Sequence, residues 1–240
     1  VHMVGDTGEG AKYWARWRGP YGQGVVSGTG YPDSWSATEN VKWKVAIPGS
    51  GNSSPIVWDD RIFVTTAYDG GKRLSVVAFR RSDGMKLWET FAPEGRTPYG
   101  HYKNGHASAT PATDGQRVYV SFGTRGLLAL DMNGKQVWYR DLGAMDAYHG
   151  TAGSPLLYKD RLVLYQDQSR NSFIAAFDTR TGKTLWSTPR EADVGWGTPI
   201  AVHVVDHDEI IVNGQLKVQA YNPDTGAELW SCKGTTYEVI

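Results

Sequence analysis

Four short stretches hold the groups with the clearest capacity for chemistry: Gly51-Asn52-Ser53-Ser54, Gly105-His106-Ala107-Ser108, Tyr148-His149-Gly150-Thr151 and Gly195-Trp196-Gly197-Thr198. Each is small and polar, carries one larger group (Asn52, His106, His149 or Trp196), and runs toward a proline: Pro55, Pro111, Pro155 or Pro199. Brought together, two imidazoles, an amide, hydroxyls and an indole would suit an anionic or planar ligand, or a metal. Small residues at these points equally allow backbones to approach closely, with the polar groups satisfying strand-end amides. His106 lies five residues before its proline and His149 six, so the two do not occupy equivalent positions.

A fifth stretch is an insertion. Pro55 and Pro111 are 56 residues apart, against 44 for each later pair, and the excess falls near residues 95–105. It carries Arg96, Tyr99, His101, Tyr102 and Lys103, and insertions into a repeat commonly build a binding face, so this is the candidate partner-binding loop. Other templates fail. There is no H-E-x-x-H, G-x-S-x-G, Walker loop or dinucleotide glycine fingerprint, and no catalytic residue is assigned. Asp206-x-Asp208, with His207 between the two carboxylates and His203 just ahead of them, lacks the rest of a calcium loop and reads as a solvated hairpin tip, so no metal site is assigned. A lone Cys232 excludes an intrachain disulfide framework and Cys-based zinc sites. Asn52-Ser53-Ser54 is a formal glycosylation sequon, relevant only to a eukaryotic secreted protein. With 25 basic and 25 acidic residues the net charge is zero, which argues against nucleic acid and against polybasic membrane attachment. No apolar stretch approaches the roughly 20 residues of a spanning helix.

What positions these groups is a repeat. Gly-x-x-x-Trp recurs as Gly84–Trp88, Gly134–Trp138, Gly182–Trp186 and Gly226–Trp230, with an unaccompanied Trp43 ahead of them. An alanine stands 9 or 10 residues before each of the four: Ala78, Ala129, Ala176 and Ala220. Each proline opens a short apolar run, then a polar turn, then a strand such as Ile62-Phe63-Val64 or Leu162-Val163-Leu164. Short runs rich in Val, Ile, Tyr and Phe, bounded by Gly, Asp and Asn, predict four strands per unit, A to D, with Asp83-Gly84, Asn133-Gly134, Thr181-Gly182 and Thr225-Gly226 at the C–D turns. Helical periodicity is absent.

Four-stranded units at a period of about 45 residues predict an all-β propeller of antiparallel blades, each sheet burying a face against the next. The blades fall at about 48–91, 106–141, 152–188 and 197–232. Residues 1–40 form a lead-in and 41–47 an orphan outer strand carrying Trp43. The recurring indole is the expected plug between blades. Burying one removes roughly 200 Å² from water, worth about 5 kcal/mol before entropy.

Residues 176–186, Ala-Phe-Asp-Thr-Arg-Thr-Gly-Lys-Thr-Leu-Trp, match the tryptophan-docking pattern A-x-D-x-x-T-G-x-x-x-W, so the chain resembles the quinoprotein (PQQ-like) propellers over residues 41–240. The other copies depart from it. Asn222 replaces the Asp in the fourth, Arg80 replaces it in the first with Asp83 for the Thr, and the second is one residue shorter. Trp17-Arg18-Gly19-Pro20, followed by Gly22-x-Gly24, resembles the lead-in of secreted bacterial proteins of this kind. The resemblance implies seven or eight blades, of which four are complete here. The last residues, Tyr237-Glu238-Val239-Ile240, read as the start of a further strand A. A fragment, a half-ring pairing with a second copy and a closed four-bladed ring are all open.

For function the resemblance implies three classes. One is a non-enzymatic scaffold, periplasmic or secreted, binding an envelope or extracellular protein or a glycan. The second is a dehydrogenase holding PQQ and calcium, for which no specific residues are found and no cofactor is expected. The third is the sensor domain of a larger receptor.

Overall fold

The computed structural model describes residues 1–235; the expected strand at Tyr237–Ile240 lies outside them. Four antiparallel four-stranded sheets form in chain order. Blade 1 is β2 (Ile56–Trp58), β3 (Arg61–Tyr68), β4 (Arg73–Arg80) and β5 (Lys86–Phe91). Blade 2 is β6 (Ala112–Thr113), β7 (Arg117–Ser121), β8 (Leu127–Asp131) and β9 (Gln136–Arg140). Blade 3 is β10 (Leu156–Tyr158), β11 (Arg161–Gln166), β12 (Phe173–Asp178) and β13 (Thr184–Pro189). Blade 4 is β14 (Ile200–Val204), β15 (His207–Asn213), β16 (Lys217–Tyr221) and β17 (Glu228–Lys233). The expected all-β class and blade pattern are observed.

The recurring alanine has a structural reason. Ala78, Ala129, Ala176 and Ala220 stand directly across the C–D ladder from Trp88, Trp138, Trp186 and Trp230, and a register shift follows each one. A methyl group leaves room for the indole to lean over it, and the bulge re-aims the strand toward the next blade. There the indole meets a glycine. Trp88, Trp138 and Trp186 lie on Gly134, Gly182 and Gly226, where an added Cβ would sit only 2.7, 2.7 and 2.3 Å from a ring carbon. Those glycines have φ of 85°, 70° and 72°, so the position excludes side chains twice, by backbone conformation and by contact. Each indole N–H also donates to a carbonyl of the same turn: Met132 O at 3.0 Å, Thr179 O at 2.9 Å and Pro223 O at 2.9 Å. Apolar clusters fill the rest of each contact. Phe63 and Val118 join blades 1 and 2, Tyr119 and Leu162 join blades 2 and 3, and Tyr165 and Ile210 join blades 3 and 4.

Two expectations change here. Trp230, expected as a fourth plug, is 41% exposed and donates to Glu209 Oε2 of its own blade at 2.8 Å; among the described residues no turn lies against it. Trp43 takes the fourth docking position instead, on the blade 1 turn at Gly84, with its N–H on Arg81 O at 2.8 Å. The segment 41–47, expected as a strand, forms no ladder among the described residues, yet its indole docks as a D-strand tryptophan does.

The lead-in also does more than precede the blades. The innermost strand of a blade leaves unpaired N–H and C=O groups facing the axis. Residues 2–16 satisfy them across several blades. β1 (His2–Met3) adds a fifth strand to blade 4 through Met3↔Val202, and Val4 N–H continues to Ala201 O at 2.9 Å. Trp14 O accepts from Val57 N–H of blade 1 at 2.8 Å, and Ala15 O accepts from Thr113 N–H of blade 2 at 2.9 Å. Arg16, buried, closes this strap on itself by donating to Val4 O at 3.1 Å and Pro20 O at 2.6 Å.

These contacts set an order of stabilities. Trp186→Ala will cost about 3–5 kcal/mol, as for a large aromatic removed from a core, and Trp230→Ala about 0.5 kcal/mol, as for a surface change. Urea denaturation of the two variants checks this; equal losses would mean that docking on a glycine turn contributes nothing.

Candidate functional site

In each blade strand A begins where strand B ends, so the segments leading into strand A meet the B–C turns at one end of the propeller. Asp146 N–H donates to Gln168 Oε1 at 3.0 Å and Met145 N–H to Thr124 Oγ1 at 3.0 Å across such junctions. The sequence-predicted residues all lie at this end, but they do not form one ring. His149 and Trp196 come together, with ring centroids 5.4 Å apart. Their companions come from the insertion and not from the other strand starts. His101 packs against His149 at 4.4 Å, and Tyr102 against His101 at 4.4 Å. Tyr148 meets His149 at 4.6 Å and Trp196 edge-on at 5.4 Å. The result is a continuous row of rings: Tyr102, His101, His149, then Trp196 with Tyr148.

Asn52 contributes from the side, donating its amide to Asn104 O at 3.0 Å. His106 is not part of the row. Its ring lies between Gly71 and Gly100, where an added Cβ on either would come within 2.4 Å of it, and its Nδ1 is buried with no partner. In the insertion, Tyr99 and Tyr102 are 59% and 86% exposed, Lys103 Nζ stands 5.7 Å from the Tyr102 ring centre, and the Arg96 side chain faces Asp141 at 3.7 Å on the surface.

Three residues hold the row in place: Asn104 and Gly150, which lie within stretches the sequence singles out, and Arg125, which it does not. Asn104 bridges blades. Its amide donates to His149 O at 2.8 Å and Thr151 O at 3.3 Å, while its carbonyl accepts from Asn52 and from the Ser108 hydroxyl. Gly150, at φ 76°, lets the insertion approach, since a Cβ there would sit 2.7 Å from Tyr99 O. Arg125, in the blade 2 B–C turn, is buried and aims its guanidinium at three carbonyls: Arg96 O at 2.8 Å, Lys72 O at 3.0 Å and Pro93 O at 3.2 Å. A planar five-donor fork suits such a task, and lysine cannot reproduce it. Nothing in the local sequence separates Arg125 from other turn arginines, because its partners lie 29, 32 and 53 residues earlier. On the blade 4 side, Arg190 and Asp167 form a fully buried two-point pair at 2.7 and 2.9 Å that closes the neighbouring B–C turn.

Chemically the row offers ring faces and imidazole edges. Trp196 is only 8% exposed, lies against His149 and Tyr148, and donates its N–H to Gly150 O at 2.9 Å. Among the described residues no three His, Cys, Asp or Glu side chains gather into a metal-sized cluster.

A scaffold of four-stranded blades locked by docked indoles, with loops gathered at one mouth, defines a β-propeller. The family model described as outer membrane protein assembly factor BamB matches residues 22–146 and 72–236, so the chain belongs to that PQQ-like repeat family. A polyvinylalcohol dehydrogenase of Pseudomonas sp is 26% identical over 72% of this chain, which corresponds to 29% of that enzyme. Among solved structures, the quinohemoprotein alcohol dehydrogenase of Comamonas testosteroni superposes with TM-score 0.60 at 16% identity, covering 78% of this chain and 35% of its own. BamB of Moraxella catarrhalis superposes with TM-score 0.55 at 21% identity, covering 82% of this chain and 52% of its own. The chain therefore spans under a third of the curated relative and about half or less of these structures.

Two outcomes follow for the mouth. Arg125→Ala will leave three buried carbonyls unsatisfied and free the insertion, so amides of residues 94–104 will exchange about tenfold faster or more, and Arg125→Lys will not restore protection. Unchanged exchange would remove Arg125 as the anchor. Separately, burial, then the neighbouring His149 and Lys103, lower the His101 pKa below its ordinary 6.5. The unfolded chain then takes up this proton first, so the contribution to stability is present above pH 6.5 and is lost as pH falls. An NMR titration will place the His101 midpoint below 6.5, and His149→Ala will raise it; a midpoint at or above 6.5 contradicts the ring contact.

Proposed function

We propose that this chain is part of a non-enzymatic binding propeller, a scaffold of the cell envelope or extracellular space that presents its mouth to a partner or ligand. The observation that carries this reading is the state of Trp196. Its N–H is engaged by Gly150 O and its ring lies against His149 and Tyr148, so the best stacking group at the mouth is built into the wall. The exposed rings stand outside it, on a loop tied down by Asn104 and Arg125, as suits recognition of something that rests on the surface. Membership of the family described as outer membrane protein assembly factor BamB supports a partner in the cell envelope.

A second reading is favoured by one observation, the 26% identity to a polyvinylalcohol dehydrogenase: the chain would then be a segment of a PQQ-dependent enzyme. Titration separates the two. Purified protein mixed with PQQ and calcium will show no saturable quenching of tryptophan fluorescence and no dye-linked oxidation of an alcohol or of poly(vinyl alcohol). Saturable quenching with turnover would overturn the scaffold reading.

A further inference from the structure

We propose that the ring row at the mouth is a carbohydrate-binding platform, on which the exposed rings of Tyr102 and Tyr148 receive sugars of an oligosaccharide chain while His101 and His149 between them offer imidazole edges. The inference rests on the reading of this mouth as a binding surface and names the chemistry of its ligand.

The row matches the amphipathic character of a pyranose. A sugar ring carries apolar C–H faces bordered by hydroxyls, so it seeks a ring face flanked by hydrogen-bonding edges. Here the rings of Tyr102, His101 and His149 follow one another at 4.4 Å, each turned by about 45° to the next, so that neither pair is stacked face to face. Aromatic faces carry negative potential that attracts the slightly positive C–H groups. His101 Nδ1 accepts from Lys103 N–H at 3.3 Å, which fixes the imidazole on the insertion's own backbone. The Lys103 ammonium borders the same row, 5.7 Å from the Tyr102 ring centre.

The platform is also preorganised. Asn104 ties the insertion to His149 O, Arg125 holds the backbone at Pro93 and Arg96, and Trp196 supports His149 from behind while its N–H is fixed on Gly150 O. Rings with two side-chain torsions lose little entropy on binding, and a tied loop loses less still. The most accessible ring, Tyr102 at 86% exposure, stands at the outer end, where a chain would first make contact. A row on an open surface suits an extended polymer better than a small molecule, which a walled pocket would enclose.

The test uses the full chain with three probes, read by calorimetry and by tryptophan fluorescence: cellohexaose, hexagalacturonate, and poly(vinyl alcohol) as a polyol without ring faces. Cellohexaose will bind and poly(vinyl alcohol) will not. Tyr102→Ala and Tyr148→Ala will each raise Kd at least tenfold with the thermal midpoint held, and Tyr102→Phe, which keeps a ring face, will lose less. Absence of binding by both oligosaccharides at millimolar concentration overturns the inference. So does hexagalacturonate binding that Lys103→Ala abolishes but Tyr102→Ala leaves intact, since that is ion pairing and not stacking. So, too, does capture of a defined protein through these residues with no sugar bound. None of these results bears on the scaffold reading, which fails only if the quinone titration gives turnover.

Discussion

An indole resting on a glycine turn is the contact from which the other features of this molecule follow. Antiparallel four-stranded sheets are poor free-standing units, because side chains project from both faces and an isolated sheet has nothing to bury either face against. Trp43, Trp88, Trp138 and Trp186 resolve this at each junction. They cross to the next blade, lie flat on Gly84, Gly134, Gly182 and Gly226, and donate an N–H to the same turn. The apolar part of this contact supplies most of the free energy, and the hydrogen bond fixes the angle between blades. Since every junction uses the same geometry, the blades fan about a common axis and their loops arrive at shared ends.

Two consequences divide the ends of the propeller. Near the A–B hairpins the strap of residues 2–16 pairs with inner strands of blades 1, 2 and 4 and gives their axial N–H groups partners. At the opposite end the loops are left to their own contacts, and there the insertion folds over the starts of blades 1 and 3 to build the row of rings. The mouth is therefore an elaboration of one repeat on a scaffold that the other repeats keep rigid. This is the usual relation between repeat architecture and recognition.

Much of the fold was legible because it is periodic. The Gly-x-x-x-Trp unit, its alanine partner and the turn signals each report local backbone requirements, and they occur four times in phase. What failed was any reading that assumed exact repetition. Trp230 carries the same local sequence as Trp186 but has no turn against it among the described residues, and its indole turns to Glu209. His106 has the appearance of a mouth residue, yet Gly71 and Gly100 leave it a slot away from the row. The site was legible only in part. His149, Trp196 and the insertion were identified separately, and their junction was hidden because it depends on Asn104 and Arg125, whose partners are backbone carbonyls of distant segments that no side-chain pattern records.

Solvent exchange of the indole N–H protons addresses the docking contact most directly. In an NMR exchange experiment with each tryptophan assigned, Trp138 and Trp186, buried and bonded to the neighbouring turn, will exchange slowly, and Trp230, 41% exposed, will exchange fast. If all three exchanged at the same fast rate, the indoles would not be seated on the glycine turns, and the ordered mouth built on that seating would have no foundation.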